Sequence, residues 1–141
     1  MIRDVVLTGF GLCQVANEAA EPSQDSLTDH FLRSDTISFL AETDTIPLKR
    51  GSRFGIAYSL EGIEEDNAEV FVARIRHPLL TNPTTGESSA EVTETKAGCI
   101  GESNFDYFHF EYSWELKPGK WLFQVIQSGR VLLEKEFNLY S

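Results

Sequence analysis

Three histidines, His30, His77 and His109, are the residues of this chain best suited to proton transfer or metal binding, because imidazole changes charge near neutral pH and ligates metals as a neutral ring. No two of them stand at the spacing of a metal-binding pair, and no His-x-His element occurs. A metal site would have to be assembled across distant strands, from His77, His109 and a carboxylate. Carboxylates are plentiful, but the runs Glu64-Glu65-Asp66 and Glu134-Lys135-Glu136 read as solvated loops and strand faces rather than acid and base pairs. Asp66, Asn67 and Glu69 offer calcium-type oxygens without the glycine and terminal glutamate of the helix-loop-helix site.

The segment Val5-Val6-Leu7-Thr8-Gly9-Phe10-Gly11 has the outline of a strand entering a dinucleotide-binding turn. Gln14 stands where the third glycine belongs and Pro22 breaks the stretch where a helix would have to run, so no helix N-terminus is offered to a pyrophosphate. Ser52 in Gly51-Ser52-Arg53 lacks the strand-to-helix setting that exposes a nucleophilic hydroxyl. Neither a catalytic residue nor a cofactor or metal ligand is assigned. What remains is a candidate surface for a ligand or partner. Lys49, Arg50 and Arg53 cluster cations that could hold a carboxylate or phosphate, although guarding a sheet edge is their plainer role. Tyr107, His109 and Glu111 lie off the main aromatic face, where a ring supplies contact area for a sugar, a peptide or a second subunit.

Composition narrows the partners. Twenty-two acidic against 12 basic residues give a net charge of −10 over 141 residues, which repels phosphate backbones and anionic lipid, so neither nucleic acid nor a membrane is an expected partner. No stretch approaches the ~20 apolar residues of a spanning helix. The start carries an acid where a signal peptide needs positive charge, which predicts a cytoplasmic protein. Cys13 and Cys99 have no CxxC partner and read as free thiols, with a bridge open only if their strands adjoin. The 41% hydrophobic content suffices for one core.

The elements that must position these residues are strands. Phe108, Phe110, Tyr112, Trp114 and Leu116 alternate with His109, Glu111, Ser113 and Glu115, a period of two that predicts one strand from 108 to 116. Trp121, Phe123 and Val125, a Ser128-Gly129 turn, and Phe137 with Leu139 predict a closing hairpin. Upstream, strands are expected from Asp4 to Val15 with an interruption at Gly9-Phe10-Gly11, near Ile37 and Phe39, and around Ile46-Pro47. Another is expected from Phe54 to Leu60, with Gly51 serving the turn before it. A further one runs from Glu69 to His77 and ends at Pro78, and a weaker one covers Ala90 to Thr95. Residues 16–34 read as a long loop with at most one helical turn, and Thr81 to Ser89 as an exposed mobile loop.

The C-terminal run, Trp114-Glu115-Leu116-Lys117-Pro118-Gly119-Lys120-Trp121-Leu122-Phe123-Gln124-Val125 with Gly129 and Val131 to Phe137 after it, resembles the end of immunoglobulin-like sandwich domains. More narrowly, Ile46-Pro47, Gly51 and Phe54-Gly55 match, and Gly9-Phe10-Gly11 approximates, elements of an uncharacterised bacterial family, domain of unknown function 3859. That resemblance implies a sandwich of one domain and no assigned activity, so no functional residue is carried over. The expectation is an all-β, immunoglobulin-like antiparallel β-sandwich of two packed sheets, residues 1–141, with about seven to nine strands. Its expected role is non-catalytic, binding a protein partner or a second copy of itself. The competing class is a small-ligand or metal-binding protein or an enzyme, its site at one end of the sandwich, built from Asp25 to His30, His77 and the Thr81 to Ser89 loop.

Overall fold

Among the described residues the chain forms eleven strands, most of them alternating apolar and polar residues: β1 (Asp4–Ala16), β2 (Ala19–Pro22), β3 (His30–Arg33), β4 (Thr36–Ala41), β5 (Thr45–Pro47), β6 (Arg53–Glu61), β7 (Ala68–Thr81), β8 (Ser88–Cys99), β9 (Ser103–His109), β10 (Gly119–Gln127) and β11 (Arg130–Tyr140). The structure is a computed structural model that describes residues 1–63 and 68–141. The acidic run at Glu64 to Asp66, and Asp66 and Asn67 of the calcium-type group, lie outside the described residues. One sheet has the order β4-β1-β6-β9 and the other β5-β11-β10-β7-β8, with β2 and β3 forming a separate two-stranded sheet. Pairing is antiparallel except where the short β5 runs parallel to β11.

The two large sheets pack through the faces that the period of two selects. Phe54, Ile56, Tyr58 and Leu60 of β6 are fully buried against Trp121, Phe123 and Val125 of β10 and Phe137 and Leu139 of β11, as the pattern predicts. Phe54 stands at the centre, its ring 5.6 Å from Phe110, 5.8 Å from Trp121, 5.4 Å from Phe123 and 5.2 Å from Phe137. Those separations, mostly edge to face, are the favoured geometry of aromatic pairs. A β-bulge falls at Thr8, immediately before Gly9-Phe10-Gly11, where the register of β1 on β6 shifts between Leu7 and Gly9. A Cβ on Gly9 would stand 2.7 Å from the Phe39 ring of β4, and Gly11 has φ +130°. The glycines admit a neighbouring ring and an unusual backbone turn.

Four expectations require correction. The strand predicted from 108 to 116 ends at His109, opposite Arg53 where its partner β6 begins; Phe110 adds only its backbone hydrogen bonds with Ser52 and Gly51 of the preceding turn, and the chain then leaves the sheet. Phe110 still turns into the core, but Ser113–Glu115 form a 3-10 turn, and Glu115, which the alternation places on the solvent side, is buried. Residues 16–34 are not a plain loop: β2 and β3 pair as a hairpin. Pro78 does not end its strand; β7 runs through it with a bulge between Arg76 and Leu80, the irregularity that lets a residue without an N–H sit in a sheet. The turn expected over Thr81 to Ser89 is shorter, since Thr81 and Leu80 still pair with Ser88 and Ser89. Cys13 and Cys99 are free, on strands of different sheets.

Candidate functional site

β8 and β9 are consecutive in the chain yet are edge strands of opposite sheets, so the sandwich stands open between them. There it holds a cleft of about 530 Å³, within the usual range for small-molecule sites. Its floor is the inward row of β7, where Ala73, Ile75 and His77 continue the core-facing series begun by Phe71. Phe108 and Trp114 supply aromatic wall, and Val92 of β8 an aliphatic one. The inward positions nearest the rim are charged instead of apolar. Lys96 Nζ of β8 donates to Asp106 of β9 at 2.6 Å and to the Phe105 carbonyl at 2.9 Å, and the Tyr58 hydroxyl donates to the other Asp106 oxygen at 2.9 Å. Inward charges of this kind also protect a sheet edge from pairing with another chain.

The β2–β3 hairpin folds over the opening. It is hydrogen-bonded into neither large sheet and is pinned by side chains: Arg33 pairs with Glu94 of β8, His30 Nε2 lies 3.0 Å from Glu111, and Asn82 donates to the Leu27 carbonyl at 2.9 Å. At its base Glu18 receives Arg53 in a two-pronged contact at 2.9 and 3.0 Å and the Tyr107 hydroxyl at 2.9 Å. His109 Nδ1 lies 3.0 Å from the same carboxylate but at an angle that makes no hydrogen bond. Burial alone would raise the Glu18 carboxyl; the hydrogen bonds from Arg53 and Tyr107 outweigh it and hold it below the ordinary carboxylate value. Burial lowers His109, with Arg53 adding to that and Glu18 opposing it.

Glu18→Ala is therefore expected to cost about 1–2 kcal/mol. It should also speed amide hydrogen exchange in β2 and β3 while leaving β6 and β10 protected. Equal exchange in the variant and the native protein would show that the hairpin does not depend on this anchor.

Of the residues singled out in the sequence, Tyr107, His109 and Arg53 converge on Glu18, on the outer side of the four-stranded sheet and partly under the hairpin base. His109, expected as an open surface histidine, has only 16% of its side chain exposed. Glu111 binds His30, and its carbonyl accepts from Arg50 Nε at 3.0 Å. Lys49 and Arg50 are exposed, whereas Arg53 is tied to Glu18. All three histidines line the same cleft. Even so, among the described residues no group of three or more His, Cys, Asp or Glu side chains could hold a metal ion. Of the end-of-sandwich group, Ser26 to Thr28, His30 and His77 do border the cleft. Glu18, Lys96, Asp106 and Glu115 carry no signal in the sequence, because nothing local distinguishes a paired charge from a solvated one.

Two packed sheets with nearly all-antiparallel pairing and an open edge define an immunoglobulin-like β-sandwich. The chain belongs to the family described as Domain of unknown function (DUF3859), whose model matches residues 3–139. An immunoglobulin-like protein from Pseudomonas aeruginosa, solved by crystallography, is similar over 98% of both chains at 19% identity, with a TM-score of 0.68. A second structure, an alkylpurine DNA glycosylase from Pseudomonas fluorescens bound to DNA containing an abasic site analog, covers 70% of this chain and 28% of its own, at 18% identity and a TM-score of 0.43. No curated protein matches the chain. Among the described residues no helix is long and apolar enough to cross a membrane.

Proposed function

We propose that this domain is a non-catalytic binding protein that takes a small organic ligand in the cleft between β8 and β9, beneath the β2–β3 hairpin. The observation that carries this reading is the hairpin itself, a two-stranded flap over a cavity of about 530 Å³, held to the sandwich by side-chain pairs instead of backbone ladders. Such pairs are individually worth little at a surface, so the flap can open without unfolding either sheet. Two free thiols suit a cytoplasmic setting.

Val92→Trp tests the reading by filling the cleft from β8, at a half-buried position of an edge strand. In a thermal-shift screen of small organic molecules, ligands are expected to raise the melting temperature of the native protein and not of a folded Val92→Trp variant. A screen without hits, or hits that stabilise both proteins alike, would refute it.

A protein partner or a second copy is the second reading. It is supported by Val70 and Val131, 63% and 49% exposed, at one end of the outer face of the five-stranded sheet. Sedimentation of the native protein against Val70→Lys would detect an association that uses this face.

A further inference from the structure

We infer, on the reading of the cleft as a ligand site, that its occupant is an uncharged organic molecule with a flat apolar body that donates one hydrogen bond, from a hydroxyl or an N–H, to Nε2 of His77. His77 occupies a core-facing position of β7 that the alternation would fill with valine or leucine, and it is only 8% exposed. Its Nδ1 lies 2.7 Å from the Pro78 carbonyl. A carbonyl oxygen has no proton to give, so Nδ1 carries the hydrogen and Nε2 of the neutral ring is a bare acceptor. Among the described residues no protein donor reaches it.

Nε2 is not one of the side-chain atoms shut off from solvent, so a donor arriving in the cleft would take the place of water at an acceptor that the fold has already oriented. The bulge at Pro78 presents both the carbonyl that fixes the tautomer and the ring that it orients. Burial keeps His77 below its ordinary pKa, against the Pro78 carbonyl and the Glu91 charge, so the ring is an acceptor at neutral pH.

The charges of the cleft exclude an ionic occupant. Arg33 is matched by Glu94, Lys96 by Asp106, His30 by Glu111, and Glu91 faces Arg74 at 3.9 Å. His109 lies against Glu18, and Glu115 accepts two backbone N–H groups. Among the described residues of the cleft no cation is left unmatched to receive a carboxylate or a phosphate, and Glu115, which has no ion-pair partner, is only 4% exposed and engaged by backbone N–H groups, so an ion entering would lose its hydration without a partner. Beside the neutral polar side chains of Thr28, Ser34, Thr95 and Asn104, the apolar part of the lining is Ile75, Val92, Phe108 and Trp114. The His77 ring adds to them, 5.0 Å from Trp121 and 6.4 Å from Phe108.

Phenol, anisole, benzoate and benzylammonium share one ring and differ in donor and charge, so they separate the possibilities when titrated into the intact chain at neutral pH and monitored by amide NMR. Phenol is expected to shift resonances of β7, β8 and β3. His77→Phe, which keeps a ring and removes the acceptor, should weaken phenol about tenfold without changing the weaker binding of anisole. His77→Gln, whose side-chain oxygen can accept, should restore most of the affinity and guards against a folding defect in the first variant. If benzoate or benzylammonium binds the cleft better than phenol, or if His77→Phe leaves phenol unaffected, the chemistry assigned to the occupant is wrong while the cleft stands as a ligand site. If none of the four probes perturbs the cleft at millimolar concentration, both readings fail.

Discussion

Phe54→Ala is expected to lower the free energy of unfolding by about 4 kcal/mol, the range for deleting a fully buried phenylalanine, read as a lower midpoint in urea at unchanged slope. The size comes from where the ring sits. Phe54 is fully buried, and its ring lies within 5.8 Å of Phe110, Trp121, Phe123 and Phe137, which approach it from β10, from β11 and from the segment after β9. Truncation would remove the shared contact of four aromatic rings anchored in two sheets, and rings of that size cannot collapse into the void without leaving their own packing. A domain of this size is stable by about 5–15 kcal/mol, so the variant would lose a large share of its total. Tyr112→Ala is the matched control. Tyr112 also stacks on an aromatic ring, Trp114, at 5.5 Å, but it is exposed, and about 0.5 kcal/mol is expected from that pair. Equal losses for the two variants would mean that the sandwich is not organised around Phe54.

The contrast between those two rings also marks where the sequence stops being readable. Phe54 and Tyr112 both belong to alternating aromatic runs, and local pattern cannot separate them. β6 and the β10–β11 hairpin are legible because both partners of each ladder exist over the whole run, so the period of two survives folding intact. The run beginning at Phe108 ends as a strand at His109, opposite the start of β6, a fact held by residues more than fifty positions upstream. The β2–β3 hairpin is illegible for a related reason. Ala19 to Pro22 are all exposed, so no alternation announces a strand, and the hairpin is placed by long-range pairs such as Arg33 with Glu94 and Arg53 with Glu18.

The site is legible in the same partial way. Tyr107, His109 and Arg53 read as open surface in the sequence, and the fold does bring them together, yet around Glu18, a residue with no distinguishing neighbours in the chain. His77 is visible only as a lone histidine. Its significance comes from facing inward where the two edge strands leave room, and from the bulge that Pro78 imposes beside it. Chemistry in this fold collects along the seam where β8 and β9 part, because that is where inward positions reach both the core and water. Side chains at the seam can be charged without being solvated, which is the condition for shifted proton affinities.

Glu115 is where that condition has the largest measurable consequence, and Glu115→Gln is expected to stabilise the protein at pH 8 while leaving it nearly unchanged at pH 4. Only 4% of Glu115 is exposed, and its Oε1 accepts the N–H groups of Glu111 and Tyr112, both at 2.8 Å. Burial pushes the carboxyl up to about 7 from an ordinary 4.5; the two backbone hydrogen bonds pull it down, the Glu111 charge pushes it further up and His30 opposes that. An acid whose folded pKa is raised binds its proton more tightly in the folded chain than in the unfolded one. Its contribution to stability is thus full below about pH 4.5 and is lost as pH rises through about 7. At 1.36 kcal/mol per pKa unit the loss is about 3 kcal/mol by pH 8. Glutamine keeps the oxygen that accepts both N–H groups and removes the charge, so it escapes the loss. Burial of His77 and His109 works in the opposite sense, costing stability as pH falls through the ordinary histidine range near 6.5. Those terms are common to both proteins and cancel in the difference between variant and native protein. Urea unfolding of the pair at several pH values between 4 and 8 therefore isolates Glu115. A difference that grows with pH is the expected result, whereas a variant less stable than the native protein at pH 8 would mean that the ionised carboxylate is what holds the 3-10 turn together.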